Sequence, residues 1–198
     1  KQVVRLKSGD PLIFGRTASE LRALVEAGCE FELVPGISSA IAAPLFAGIP
    51  LTDPEVSPCF AVLTGHDLEI LPWDSLANIP TLVILMGTAN LSGIITKLQA
   101  SKSPDLDIAI IQWCGRPKVF GVKSQQQIWV GTLADIQTKL PDCSLSPAAI
   151  VIGEVVKHHT WMNWYQLFNT ENIVNADRIT NTQPLYGQRI LVTRAAGQ

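Results

Sequence analysis

Short apolar runs alternate along this chain with stretches whose apolar residues recur at helical spacing. The runs at 2–6, 31–34, 59–64, 81–86, 108–113, 127–130 and 148–152 have strand length, and each predicts a strand. Helical spacing predicts helices over 17–27, 40–47, 91–99, 133–140 and 161–168. The first gathers Leu21, Leu24 and Val25 on one face and is closed by Gly28. The second is capped by Ser38 or Ser39 and ended by Gly48-Ile49-Pro50. Strands spaced by helices and short loops predict an α/β fold on a mostly parallel sheet.

Beyond residue 168 the pattern changes. Residues 169–184 are polar apart from Ile173, Val174 and Ile179, and read as a linker. The run QRILVT at 188–193 predicts a further strand. One strand cannot bury both its faces, so a second domain is expected to start there. The chain also opens inside a predicted strand, and a fragment of a longer protein is expected.

The loop Lys7-Ser8-Gly9-Asp10-Pro11 joins a predicted strand to a predicted helix, the position where open α/β sheets bind ligands. Gly9 lets backbone amides approach a ligand closely, and Asp10 can accept from hydroxyl or ammonium donors. An ordinary turn with an Asp cap has the same composition, so these five residues alone leave both readings open.

Composition narrows the class. Of 198 residues, 47% are hydrophobic and 16% charged, which suits a packed α/β enzyme and not a disordered chain. A net charge of -2 provides no field for nucleic acid or an anionic membrane, so a polyanionic substrate would need local basic residues. Cys29, Cys59, Cys114 and Cys143 form no C-x-x-C pair, and His66, His158 and His159 add no ligand spacing. No metal site or disulfide is therefore predicted, and the thiols read as small buried hydrophobes. No apolar run approaches the ~20 residues that span a bilayer.

Longer runs carry more information. LKSGDPLIFGR at 6–16, VPGISSAIAAPLFAGIPLTDP at 34–54, AVLTGHD at 61–67, LVILMGTANL at 82–91, VGTLADI at 130–136 and SPAAIVIGEVV at 146–156 occur in that order. Together they resemble the tetrapyrrole methylase family over about residues 1–168, nearest to cyanobacterial or plastid members acting on uroporphyrinogen III. The resemblance implies two αβα domains with a cofactor cleft between them, the N-terminal part being truncated here. Residues 1–36 would end the N-terminal subdomain and 37–168 form the C-terminal one. Residues 185–198 resemble the opening of uroporphyrinogen-III synthase, as in fusions of the two activities.

The same resemblance implies S-adenosylmethionine as methyl donor and two successive C-methylations of uroporphyrinogen III to precorrin-2. Cofactor contacts would fall to Ser8, Gly9 and Asp10, where Ser8 replaces a commoner Gly, and to Ile13, Ser38, Ser39, Met86 and Cys114. Arg16 matches the arginine that faces the substrate, and a guanidinium suits its fringe of carboxylates. Without the family, Met86 would read as core filler and Arg16 as a solvated first-turn residue. Gly115 could take the place of Cys114, where the family has a small residue. Catalytic acid–base residues are expected upstream of Lys1, so 1–198 alone is expected to be inactive. Residues 118–124 would be an insertion near the adenosine pocket. A homodimer in the cytoplasm, or in the plastid stroma of a eukaryote, is implied, without nucleic acid, membrane or metal. Competing readings are a different precorrin methylase and a non-catalytic dimerising fragment.

Overall fold

The computed structural model describes residues 3–116 and 125–165. Its elements are α1 (Thr17–Glu26), α2 (Ser39–Phe46), β1 (Phe60–Thr64), α3 (Trp73–Leu76), β2 (Thr81–Leu85), α4 (Leu91–Gln99), β3 (Asp107–Gln112), β4 (Gln127–Thr132), β5 (Ala148–Ile152) and α5 (His159–Met162). Tighter 3-10 turns occupy Thr88–Asn90, Ile136–Lys139 and Glu154–His158.

The strands form one sheet in the order β1-β2-β5-β3-β4. The fold is α/β, as expected, but the mostly parallel sheet is corrected to a mixed one. β1 pairs with β2 in parallel, whereas β5 runs antiparallel to both β2 and β3, and β4 antiparallel to β3. The helix expected over 133–140 shrinks to the turn Ile136–Lys139, so among the described residues no α-helix separates β3, β4 and β5. Antiparallel neighbours need no helical crossover, which is why this half reverses direction.

Side-chain alternation on the central strands creates two apolar layers. Leu82, Ile84, Ile108, Ile110, Ile150 and Ile152 meet Leu91, Ile94, Ile95 and Leu98 of α4 on one face. Val83, Leu85, Ala109, Ile111, Ala149 and Val151 meet Ala40, Ala43 and Ala47, with Val155 and Val156, on the other. Burial on both faces explains the unbroken apolar runs, and the alanines bring α2 close to the sheet.

Ser38 is the cap of α2: its Oγ accepts from the Ala40 amide at 3.2 Å. Ser38→Ala is expected to cost about 1 kcal/mol, read as a lower Tm. Ser39→Ala, which removes no cap, should leave the Tm in place.

Two of the expected strands fail for one reason. Residues 3–6 and 31–34 pair with no strand, and Val3, Val4, Leu6, Phe31, Leu33 and Val34 are exposed. An extended segment becomes a strand only beside a partner edge, and no described segment lies alongside these. Cys29, Cys59 and Cys143 sit in connecting segments and are exposed, so the buried-thiol reading is corrected for all three; Cys114 alone is half-buried. The short α3 was not expected, and α5 starts before the helix read at 161–168. The expected insertion at 118–124, linker at 169–184 and second domain at 185–198 lie outside the described residues. Among the described residues no helix is long and apolar enough to cross a membrane.

Candidate functional site

The C-terminal ends of β2 and β3 flank the start of β5, with Leu85 and Ile111 both in register with Ala149. Each of those two strands is left through a residue in the left-handed region, Met86 at φ 56° and Trp113 at φ 52°. That region is sparsely populated by residues with a side chain, and such outliers gather at ligand sites. The N-terminus of α2 lies beside them, and the loop around Gly9 closes the near side. Gly9 has φ 68°, and a Cβ there would stand 3.3 Å from Ser38 Cα.

These pieces enclose a cavity of about 410 Å³ lined by Ser8, Gly9, Ile13, Phe14, Ile37, Ser38, Ser39, Ala42, Leu85, Met86, Thr88, Cys114, Ser146, Pro147 and Ala148. A second cavity of about 280 Å³ shares Ser39, Cys114, Pro147 and Ala148 with it and reaches Trp113 and Arg116. There the Arg116 guanidinium lies 4.1 Å from the Trp113 ring centroid, a cation–π contact.

The glycine loop is pinned from behind. Lys7 donates to the Gly15 carbonyl at 3.0 Å and pairs with Glu20 at 2.6 Å, while Arg5 reaches the same carboxylate at 3.2 Å. The Lys7 hydrogen bond, followed by Arg5, holds the Glu20 carboxyl below its ordinary range. The Thr17 hydroxyl donates to the Pro11 carbonyl and draws the loop onto α1.

Seven of the residues expected to bind cofactor, namely Ser8, Gly9, Ile13, Ser38, Ser39, Met86 and Cys114, line this one cavity although they are spread from residue 8 to residue 114. Ser8 needs no left-handed backbone because Gly9 supplies it, which explains why serine fits there. Met86 is half exposed into the cleft and is not core filler. Burial pushes the Cys114 thiol up, so it stays neutral against its apolar surroundings.

Two expected residues stand apart. Asp10 turns its Oδ1 to the Leu12 amide at 2.8 Å and so shapes the loop without lining the cavity. Arg16 is exposed, sits in the left-handed region at φ 53° as the N-cap of α1, and lies outside both cavities. Gly115 lines neither cavity, and a Cβ there would meet the Phe46 ring at 3.1 Å. Sequence reasoning missed Phe14, Ile37, Ala42, Leu85, Thr88 and 146–148 as lining residues. Each lies within or beside a motif already quoted, so motif membership was the available signal.

An apolar hollow with a few hydroxyls beside the N-terminus of α2 suits a ligand with one apolar face and a small number of polar groups. Among the described residues no group of three or more His, Cys, Asp or Glu could hold a metal ion. Fold and cleft together define a small-molecule-binding α/β domain with its site at the strand ends.

The model of the tetrapyrrole (corrin/porphyrin) methylases matches residues 1–137, and the chain belongs to this family. It is 46% identical over 167 residues to a uroporphyrinogen-III C-methyltransferase of Synechococcus elongatus, covering 84% of this chain and 66% of that protein. A uroporphyrinogen-III C-methyltransferase of Bacillus subtilis is 39% identical, with 96% of this chain and 36% of that protein covered. The chain thus spans slightly less than two thirds of the first relative and about a third of the second. The crystal structure of a Thermus thermophilus uroporphyrin-III C-methyltransferase with S-adenosylhomocysteine superposes with a TM-score of 0.65 at 30% identity, over 78% of this chain and 67% of that one.

Proposed function

We propose that this chain contributes the C-terminal wall of the cofactor cleft in an S-adenosylmethionine-dependent enzyme that C-methylates uroporphyrinogen III to precorrin-2. The observation that carries this reading is the convergence of seven expected cofactor residues on one apolar cavity at the strand ends. The relatives named above and the S-adenosylhomocysteine complex of the Thermus protein support it. The donor supplies a methyl group on a sulfonium, which needs alignment with a nucleophilic carbon and dryness more than acid–base power. Ile13, Phe14 and Met86 exclude water from the cleft, and the Ser39 hydroxyl at the start of α2 orients polar groups of the donor. Arg16, exposed beside the glycine loop, pairs with substrate carboxylates. The resemblance further supports a cytoplasmic or stromal homodimer of cyanobacterial or plastid type, fused to a uroporphyrinogen-III synthase.

Isothermal titration of the enzyme that contains these residues with S-adenosylhomocysteine, and mass spectrometry of the product it makes from uroporphyrinogen III, test the reading. Binding followed by addition of two methyl groups is expected. Absence of binding would overturn it, and methylation of a different tetrapyrrole alone would replace the substrate.

A further inference from the structure

We propose that Gln126 is a positioning residue of the cofactor cleft, holding the turn that carries Cys114 at a fixed distance from α2; this rests on the methyltransferase reading. The two walls joined at Cys114 and Ser39 come from different parts of the chain. One is α2; the other is the turn after β3, where Trp113 and Gly115 are both left-handed, at φ 52° and 73°. Such a turn has little regular pairing of its own, although the Arg116 amide closes it on the Trp113 carbonyl at 3.1 Å. Among the described residues, the Gln126 side chain bridges it to α2 by hydrogen bonds at both ends.

Gln126 is 8% exposed. Its Oε1 accepts from the Gly115 amide at 2.8 Å, and its Nε2 donates to the Phe46 carbonyl at 3.0 Å, at the last residue of α2. Its own backbone amide donates to the Arg116 carbonyl at 3.1 Å. The carboxamide is the group that fits, because one end must accept and the other donate. A flipped amide would set donor against donor and acceptor against acceptor. The Phe46 ring fills the remaining space against Gly115, so the turn and helix are held by one polar bridge and one apolar contact. Neither polar end of Gln126 lines either cavity, and the side chain acts on the ligand only through the turn it places.

The test uses the active protein that contains these 198 residues. Gln126→Leu leaves the part-buried Gly115 amide and Phe46 carbonyl without this partner, and is expected to raise the S-adenosylhomocysteine Kd and the KM for the methyl donor roughly tenfold. At saturating donor, kcat should stay within about twofold, since no reacting group is touched. Gln126→Glu keeps the acceptor for Gly115 but sets its second oxygen against the Phe46 carbonyl, and is expected to recover none of the affinity. Lys102→Met serves as control: Lys102 donates to the Ala77 and Ile79 carbonyls, both at 2.8 Å, on the α4 side of the sheet. It should destabilise the fold and leave Kd unchanged. Wild-type affinity in Gln126→Leu, or an equal rise in Kd for Lys102→Met, would overturn the positioning role alone. Failure of the unaltered protein to bind S-adenosylhomocysteine would instead overturn the methyltransferase reading, and the positioning role with it.

Discussion

Replacing Gly36 by alanine is expected to weaken S-adenosylhomocysteine binding by about a hundredfold while the sheet stays folded. A Cβ at Gly36 would lie 2.1 Å from the Gly9 carbonyl oxygen, 2.9 Å from its carbon and 3.5 Å from the Asp10 amide nitrogen. All three are backbone atoms, so no rotamer change can relieve the clash. Either the glycine loop or the segment around Gly36 must move, carrying Ser8, Gly9 and Ile13, or Ile37 and Ser38, out of place in the cleft. Overpacking of this kind costs about 1–3 kcal/mol, and the upper part of that range corresponds to about a hundredfold. The cost falls on binding because neither Gly36 nor Gly9 belongs to the two apolar layers that hold the sheet. Titration calorimetry alongside far-UV circular dichroism checks both halves. Gly28→Ala is the control, since Gly28 is also left-handed, at φ 62°, yet has nothing within 4 Å of a Cβ. It should lose some stability and no affinity. A change below about threefold in Gly36→Ala would mean that the loop is not a wall of the site.

The same glycine shows where sequence reasoning stopped. Pro35-Gly36 reads as the end of a strand, and nothing in its composition says that the Gly9 carbonyl packs onto it. The three central strands were legible because burial on both faces leaves continuous apolar runs such as Leu82–Leu85 within β2, and the half-buried edge strands β1 and β4 kept shorter apolar runs. Their order was not, because β5 inserting between β2 and β3 is a pairing choice made across the chain, and periodicity carries no partner information. Residues 3–6 and 31–34 show the converse: apolar alternation was present, but without an adjacent edge it made no strand. At the site, family motifs located most of the cleft, whereas Asp10 and Gln126 act on backbone groups. Which amide a carboxylate or carboxamide faces is fixed by tertiary structure, and a motif records only that the residue is there. Met86 joins the two lessons, since its place at the end of a strand suggested core, and only its backbone conformation reveals why it turns into the cleft.

Met86 should therefore separate stability from function with opposite signs. Its φ of 56° costs a residue with a Cβ about 1–2 kcal/mol relative to a right-handed or extended conformation. Glycine is free of that penalty but loses more chain entropy on folding, so Met86→Gly is expected to stabilise the fold by about 1 kcal/mol. The thioether side chain, 51% exposed along the cavity, offers apolar area that a bound ligand covers. Removing it forfeits about half of the ~1.5–3 kcal/mol that full burial of a Met side chain contributes, a loss of roughly three- to tenfold in S-adenosylhomocysteine affinity. Met86→Ala keeps the strained backbone and loses the same contact. It should show the affinity loss without the gain in Tm, so the pair of variants divides backbone strain from side-chain contact. If Met86→Gly lowered the Tm, the left-handed residue would not be a source of strain. If both variants bound as the unaltered protein does, Met86 would not contact the ligand. A gain in Tm together with a loss of affinity is what a site maintained at the expense of stability should give.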